Sequence, residues 1–92
     1  MTTNSEQRIA ERFPLQCLIE FDRGKGWSRD ISASGVYFST EQAFSISEKI
    51  RLIIHPGHSP MIRCDGQVVR TENQASGFGV AVQFKDFVFE TA

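Results

Sequence analysis

The chain has 92 residues, which is enough for one small domain and too few for a doubly wound nucleotide-binding fold or a β/α barrel. Its composition, 40% hydrophobic and 23% charged, supplies a core and argues against intrinsic disorder. The net charge of −1 disfavours binding to a nucleic-acid polymer, because such proteins usually carry a basic face. A local cluster of charges can still bind a small anion.

The sequence contains no apolar stretch near the ~20 residues that a membrane-spanning helix needs. Residues 1–7 are polar and lack the hydrophobic region of a secretory signal. The two cysteines, Cys17 and Cys64, are therefore interpreted as reduced thiols. We expect a single-domain cytoplasmic protein, residues 1–92, that does not insert into a membrane.

Taken in chain order, the dominant hydrophobic period is two. Apolar residues occupy every odd position of residues 13–21, which predicts a half-buried strand. The glycine-containing, charged segment 22–26 predicts a turn, and the Ser32-Ala33-Ser34 segment predicts a tight connection. Residues 40–48 are expected to be an irregular connection. Further strands are predicted at 27–31, 35–39, 49–54, 61–71 and 77–84.

The end of the pattern carries two more expectations. The alternation changes phase near Asp65-Gly66, which predicts a kink in the fifth strand, and residues 72–76 predict a turn. Residues 85–92 are expected to form a tail with at most a short helix. Six short strands with short connections indicate an all-β antiparallel barrel or sandwich, assigned to residues 13–84 and preceded by an N-terminal arm, residues 1–12.

Two arginines on that arm, Arg8 and Arg12, are four positions apart. Their like charges repel on one helical face, and an anion would relieve the repulsion. A guanidinium binds phosphate through two parallel hydrogen bonds, and the same geometry fits O6 and N7 of guanine. These residues alone also fit a solvated, charged tail.

A second motif, Asp30-x-Ser32-x-x-Gly35, lies between two predicted strands. Residues two apart in an extended segment point to one side, which would place Asp30 beside Ser32. A carboxylate accepts hydrogen bonds and so suits the N1–H and N2–H₂ edge of guanine. Gly35 permits a positive φ or a close backbone approach. Alone, the motif also fits an ordinary turn.

Together, Arg8-x-x-x-Arg12 and the Asp30 motif resemble the PilZ domain family, and residues 66–70 and 77–84 resemble the family's closing hairpin. The similarity covers residues 8–84. The resemblance implies a six-stranded antiparallel β-barrel of the split-barrel type that binds the bacterial second messenger cyclic di-GMP and has no catalytic activity.

By the same resemblance, Arg8 and Arg12 would hold the phosphates and Hoogsteen edges of the guanines. Asp30 and Ser32 would bond a guanine edge, and Gly35 would shape the turn. Gln7, the residue before the first arginine, is a further candidate, since this position often helps decide whether one ligand or a stacked pair binds.

The function implied is that of a receptor or adaptor. Binding would change the conformation of the arm, and the signal would pass to an unidentified effector protein. No cofactor is expected beyond the ligand, and the oligomeric state stays open. One alternative is a PilZ-like scaffold for pilus or motility assembly that does not bind the ligand. Another is an oligonucleotide-binding barrel.

Other chemistry is disfavoured. His55, His58, Cys17 and Cys64 lack the paired spacing of a zinc site, and nothing arranges a nucleophile beside a histidine and a carboxylate. Trp27, Tyr37 and Phe38 could form an aromatic platform for single-stranded RNA, but we expect them to belong to the barrel.

Overall fold

The computed structural model describes residues 16–57 and 61–90 as a closed barrel of six antiparallel strands. The strands are β1 (Leu18–Phe21), β2 (Gly24–Ile31), β3 (Gly35–Thr40), β4 (Lys49–His55), β5 (Met61–Gln74) and β6 (Gly77–Glu90). Around the barrel their order is β1-β2-β3-β6-β5-β4, and β4 pairs with β1 to close it. The six strands and the antiparallel barrel predicted from the sequence are confirmed.

The core lies inside this barrel and follows the period-two alternation. β1, β3 and β4 send alternate residues inwards without interruption, β2 does so with one bulge, and β5 and β6 pair with two register shifts. Buried apolar residues of β1, β3, β4, β5 and β6 meet at the centre, and Ile31 of β2 is partly buried against them. Three partly buried phenylalanines, Phe44, Phe78 and Phe84, pack against it. The buried apolar residues are Cys17, Ile19, Phe21, Val36, Phe38, Ile50, Leu52, Ile54, Cys64, Val68, Val80 and Val82.

Both cysteines are free and buried, in agreement with the expectation of reduced core thiols. Burial, and then the neighbouring Asp65 charge, raise the pKa of Cys64 to about 12. This thiol therefore stays protonated and unreactive at neutral pH.

The first hairpin is tighter than the sequence predicts. Phe21 pairs with Gly24, so Asp22 and Arg23 alone form the turn, and β2 begins three residues earlier than expected. Gly26, interpreted as a turn residue, lies buried within β2 opposite Ile19 and Thr40. Glycine in this position reflects close packing inside the sheet rather than a chain reversal.

The second tight hairpin is also shorter than predicted. β5 continues to Gln74, which pairs with Gly77, so the turn at residues 72–76 contracts to Ala75 and Ser76. The predicted kink near Asp65-Gly66 is confirmed, because the register of β5 against β6 shifts between these two residues. The irregular connection predicted at residues 40–48 is confirmed for residues 41–48, whereas Thr40 is the last residue of β3.

Residues 85–90, expected to be a tail with at most a short helix, form no helix and extend the last strand instead. This segment continues β6 to Glu90 and pairs with residues 61–65 of β5. Its sequence, Lys85-Asp86-Phe87-Val88-Phe89-Glu90, is rich in aromatic and β-branched residues, which favour a strand that has a partner available. The described residues include no helix that could span a membrane.

Candidate functional site

A bulge in β2 sets the direction of Asp30. The register of β2 against β3 shifts between Ser28 and Asp30, so that Ser28 opposes Phe38 and Asp30 opposes Tyr37. Ser28 is fully buried and points into the barrel. Without the extra residue, Arg29, strict alternation would turn Asp30 inwards as well. The bulge therefore places the Asp30 carboxyl group on the outer face of the sheet.

The connection that follows is held by its own serines. The Ser32 amide donates to the Gly35 carbonyl at 2.9 Å, and the Ser32 hydroxyl oxygen accepts from the Ser34 amide at 3.2 Å. The Ser34 carbonyl in turn accepts from the Phe84 amide at 2.8 Å, which fixes the connection against β6. The Ser32 hydroxyl is thus held beside the outer face.

Gly35 is required for a close approach between strands. A methyl group at this position would overlap the carbonyl oxygen of Val82 on β6. Gly35 is not among the glycines with positive φ. Of the two roles that the sequence left open for Gly35, the structure shows the close backbone approach.

A second bulge brings Arg70 to the same outer face. The register of β5 against β6 shifts between Val68 and Arg70, so that Val68 is buried whereas Val69 and Arg70 are exposed. Arg70 opposes Ala81, Ala81 opposes Tyr37, and Tyr37 opposes Asp30. These four residues form one row across β2, β3, β6 and β5, which we call the site row.

Hydrogen bonds and an ion pair fix the site row at its Tyr37 and Arg70 end. The Tyr37 hydroxyl donates to Glu72 Oε1 at 2.8 Å and accepts from Gln74 Nε2 at 3.2 Å. The Arg70 guanidinium lies 5.4 Å from the Tyr37 ring centroid, and its Nε is 3.3 Å from Glu72 Oε2. Partial burial, and then the hydrogen bond to Glu72, raise the pKa of Tyr37, so the phenol keeps its proton.

Gly79 gives the Tyr37 side chain the space it occupies. A methyl group at Gly79 would overlap the Tyr37 hydroxyl and lie 2.7 Å from Gln74 Nε2. Tyr37 therefore lies flat across β6, and its ring forms one wall beside the small Ala81.

These groups surround a shallow concavity of about 190 Å³. Asp30, Ser32 and Gly35, the three motif residues within the described part of the chain, all line it, together with Tyr37 and Arg70. Arg8, Arg12 and Gln7 lie outside the described residues. The concavity presents one carboxylate, one guanidinium, hydroxyl groups and an aromatic ring, which can bond a planar heterocycle with both donors and acceptors.

Sequence reasoning missed Tyr37, Arg70, Val69 and Gln83, all of which line the concavity. Val69 and Arg70 had a usable signal in the sequence. The segment Gln67-Val68-Val69, which precedes Arg70, breaks the apolar–polar alternation of β5 and so indicates a bulge. Pairing of Ala81 with Tyr37 joins strands that are distant in the sequence, and pairing of Ala81 with Arg70 depends on the bulge between Val68 and Arg70; alternation alone fixes neither.

The competing sites do not assemble in the described residues. His55 Nε2 pairs with Glu20 Oε1 at 2.7 Å, and within residues 16–57 and 61–90 no cluster of three metal-ligating side chains occurs. Trp27, Tyr37 and Phe38 all belong to barrel strands, as predicted. Phe38 is fully buried whereas Trp27 is 52% exposed, so the three do not form one platform.

Two of three comparisons with known proteins found a match. The sequence model of the PilZ domain matches residues 3–90. A solved structure described as the Bacillus subtilis inhibitor of motility, MotI/DgrA, superposes with a TM-score of 0.76 at 19% sequence identity. That superposition covers 86% of this chain and 43% of MotI/DgrA, so the chain spans less than half of that protein. A search of curated proteins found no match.

Proposed function

Since the chain belongs to the PilZ domain family, we propose that it is a receptor for cyclic di-GMP that signals through a partner protein and catalyses no reaction itself. One observation carries the proposal. Asp30, Ser32 and Gly35 line a single concavity on the outer face of the barrel, with Tyr37 and Arg70 beside them. Two independent bulges, in β2 and β5, are needed to produce that arrangement.

The chemistry of each side chain fits one part of a guanine. In the proposal the Asp30 carboxylate accepts from the N1–H and N2–H₂ groups, and the Ser32 hydroxyl donates or accepts beside it. Arg70 stacks on the base or donates to a phosphate, since a guanidinium can do both. Tyr37 supplies a wall for the heterocycle, and Gly35 keeps β3 close to β6 beneath it.

The phosphates are assigned to Arg8 and Arg12. Cyclic di-GMP carries two negative charges, and two guanidinium groups match them. Ligand binding would change the conformation of residues 1–12, and ordering a segment costs about 1–2 kcal/mol per residue. Charge-assisted hydrogen bonds of about 1.5–3 kcal/mol each must exceed that cost. The change would alter the surface shown to a partner, which is how a non-catalytic domain can signal.

Two free cysteines support a cytoplasmic location.

Isothermal titration calorimetry with cyclic di-GMP tests this function. The folded wild-type protein should bind, and Asp30→Asn should weaken binding whereas Asp22→Asn, in the β1–β2 turn, should not. Arg12→Ala should cost about 2–5 kcal/mol, because it removes one partner of a paired charge. Binding of Arg12→Ala within threefold of wild type, which is about 0.7 kcal/mol, would reject the role of Arg12.

Arg70 has a matched control in Arg51. Both arginines are exposed and each pairs with one surface carboxylate, Arg70 with Glu72 at 3.3 Å and Arg51 with Asp65 at 3.0 Å. Arg70→Ala should weaken cyclic di-GMP binding by about 1.5–3 kcal/mol, and Arg51→Ala should leave it unchanged. No heat with folded wild-type protein at tens of micromolar ligand would favour the scaffold function without ligand binding instead.

A further inference from the structure

A second and larger concavity lies on another side of the barrel. It encloses about 1550 Å³ and is formed by the β1–β2 hairpin, the 40–48 connection, β4, the first part of β5 and the part of β6 near Lys85. We call it the hairpin groove. It shares no residue with the concavity around Asp30. Small-molecule pockets are usually about 300–1000 Å³, so this open groove has the size of a peptide-binding surface.

The floor of the hairpin groove is apolar and aromatic. Phe21 and Phe44 pack edge to face with ring centroids 5.1 Å apart, and Phe21 and Ile50 are core residues that reach the groove only at its base. The partly exposed apolar side chains of the groove are Phe44 and Ile53, the latter on the outer face of β4 opposite Glu20. The Arg23 guanidinium lies 4.5 Å from the Phe44 ring centroid at one edge. An apolar floor with polar edges is the composition typical of a surface that receives an apolar anchor from another protein.

Positive charge is in excess at the edges of the hairpin groove, because most of the carboxylates that line the groove already form ion pairs. Glu48 pairs with Arg23 at 3.0 Å, and Asp65 pairs with Arg51 at 3.0 Å. Glu20 opposes Lys25 in the β1–β2 register, but its carboxylate pairs with His55 at 2.7 Å.

Three lysines remain. Lys25, Lys49 and Lys85 line the hairpin groove, and none of the ion pairs within residues 16–57 and 61–90 involves them. All three are exposed. Asp22 is the one carboxylate lining the groove that takes part in none of these pairs, so the three lysines leave the groove with net positive charge beside Phe44 and Ile53, although the whole chain has a net charge of −1.

From this pattern we infer that the hairpin groove is the docking surface for the partner protein, and that the partner contributes an acidic segment with at least one large apolar side chain. The apolar side chain packs on Phe44 and Ile53, and the acidic residues pair with Lys25, Lys49 and Lys85. Charge complementarity of this kind sets specificity and association rate. The inference rests on the proposed function, since it names the chemistry of the partner through which the receptor signals.

The groove adjoins the site row through β6. Gln83 lines the concavity around Asp30, and it pairs with Gln67, which lines the hairpin groove. The Ser34 carbonyl, in the connection that carries Ser32, accepts from the amide of Phe84, the residue before Lys85. A ligand and a partner would thus contact neighbouring positions of the same strand.

The test uses selection from a display library of random 12-residue peptides against the full chain without nucleotide. Enriched peptides should be acidic and contain a large apolar residue, and a labelled selected peptide should bind in a salt-dependent manner. Lys25→Glu should weaken that peptide at least tenfold. Arg29→Glu is the matched control, because Arg29 is also exposed on β2 but does not line the groove; it should change peptide affinity less than twofold.

Neutral or basic selected peptides, no enrichment, or equal loss with Lys25→Glu and Arg29→Glu would each overturn the inference. Calorimetry of Lys25→Glu with cyclic di-GMP should match the wild type, since Lys25 lies outside the site row. A failure of peptide binding with intact nucleotide binding rejects the groove alone. A protein that binds the selected acidic peptides but no nucleotide keeps the groove and rejects the proposed ligand.

Discussion

Replacing Gly79 with alanine should displace the Tyr37 side chain. A methyl group there would overlap the Tyr37 hydroxyl and lie 2.7 Å from its ring carbon Cζ. Tyr37 would have to swing away from β6. The hydrogen bonds of its hydroxyl with Glu72 at 2.8 Å and Gln74 at 3.2 Å would break, and the Arg70 guanidinium would lose the ring it lies over.

The expected loss follows from these three contacts. Each hydrogen bond contributes about 0.5–1.5 kcal/mol, with the low end appropriate for exposed groups. An exposed cation–π contact contributes about 0.5–1 kcal/mol. Alanine is favoured over glycine within a strand by roughly 0.5–1 kcal/mol, which offsets part of the loss. Gly79→Ala should therefore lower the free energy of unfolding by about 1 kcal/mol and should also weaken cyclic di-GMP binding.

The assay is urea unfolding followed by circular dichroism and by fluorescence of Trp27, the only tryptophan in the chain. A double-mutant cycle with Tyr37→Ala isolates the contact. In the Tyr37→Ala background the methyl group meets no phenol ring, so Gly79→Ala should be neutral or stabilising. If Gly79→Ala destabilises both backgrounds equally, the overlap with Tyr37 is not the cause, and the reasoning about this wall of the site is wrong.

Three further predictions concern the barrel itself. Ser28→Ala should lower the free energy of unfolding by about 1–3 kcal/mol, because Ser28 Oγ accepts a hydrogen bond from the buried Cys17 amide at 2.7 Å. Ser39→Ala should be neutral or stabilising, because Ser39 Oγ has no hydrogen-bond partner in the described residues. Chemical denaturation of the two variants compares these effects. Ser47→Gly should stabilise by about 0.5–1 kcal/mol in the same assay, since Ser47 has a φ of 78° and glycine relieves that strain; a loss of stability would contradict this. Cys64 should resist thiol reagents at pH 8 until the protein unfolds. Its pKa of about 12 predicts that the free energy of unfolding falls as pH rises from 9 towards 12, because the thiol ionises first in the unfolded chain. The fall should reach about 1.4 kcal/mol per pH unit and should be absent from the Cys64→Ala profile.

The strands were predictable because their alternation is local. Every second residue of a strand faces the core, so Ile19 and Phe21, with Cys17 just before the strand, predict β1 without knowledge of its neighbours. The kink at Asp65-Gly66 was predictable for the same reason, because a phase change in the alternation is visible in the sequence. The strand at residues 85–90 was not predicted, because the strand propensity of a short segment does not show that β5 supplies a strand with which it can pair.

The candidate site was predictable only in part. The motif residues Asp30, Ser32 and Gly35 follow one another in the chain, so a short pattern finds them. Tyr37 and Arg70 join them through cross-strand register, and that register depends on single-residue bulges. A bulge changes which face a side chain occupies without changing composition, so period-two reasoning cannot assign that face.

The most direct test of the account is a ¹⁵N-resolved NMR titration of the full chain with cyclic di-GMP. We expect the largest amide shifts at Asp30, Ser32–Gly35, Arg70 and Ala81, with small shifts in the hairpin groove around Phe44. Asp30→Asn should abolish this pattern at the same ligand concentration. An absence of shifts at tens of micromolar ligand, or the largest shifts around Phe44, would contradict the assignment of the site row as the nucleotide-binding face.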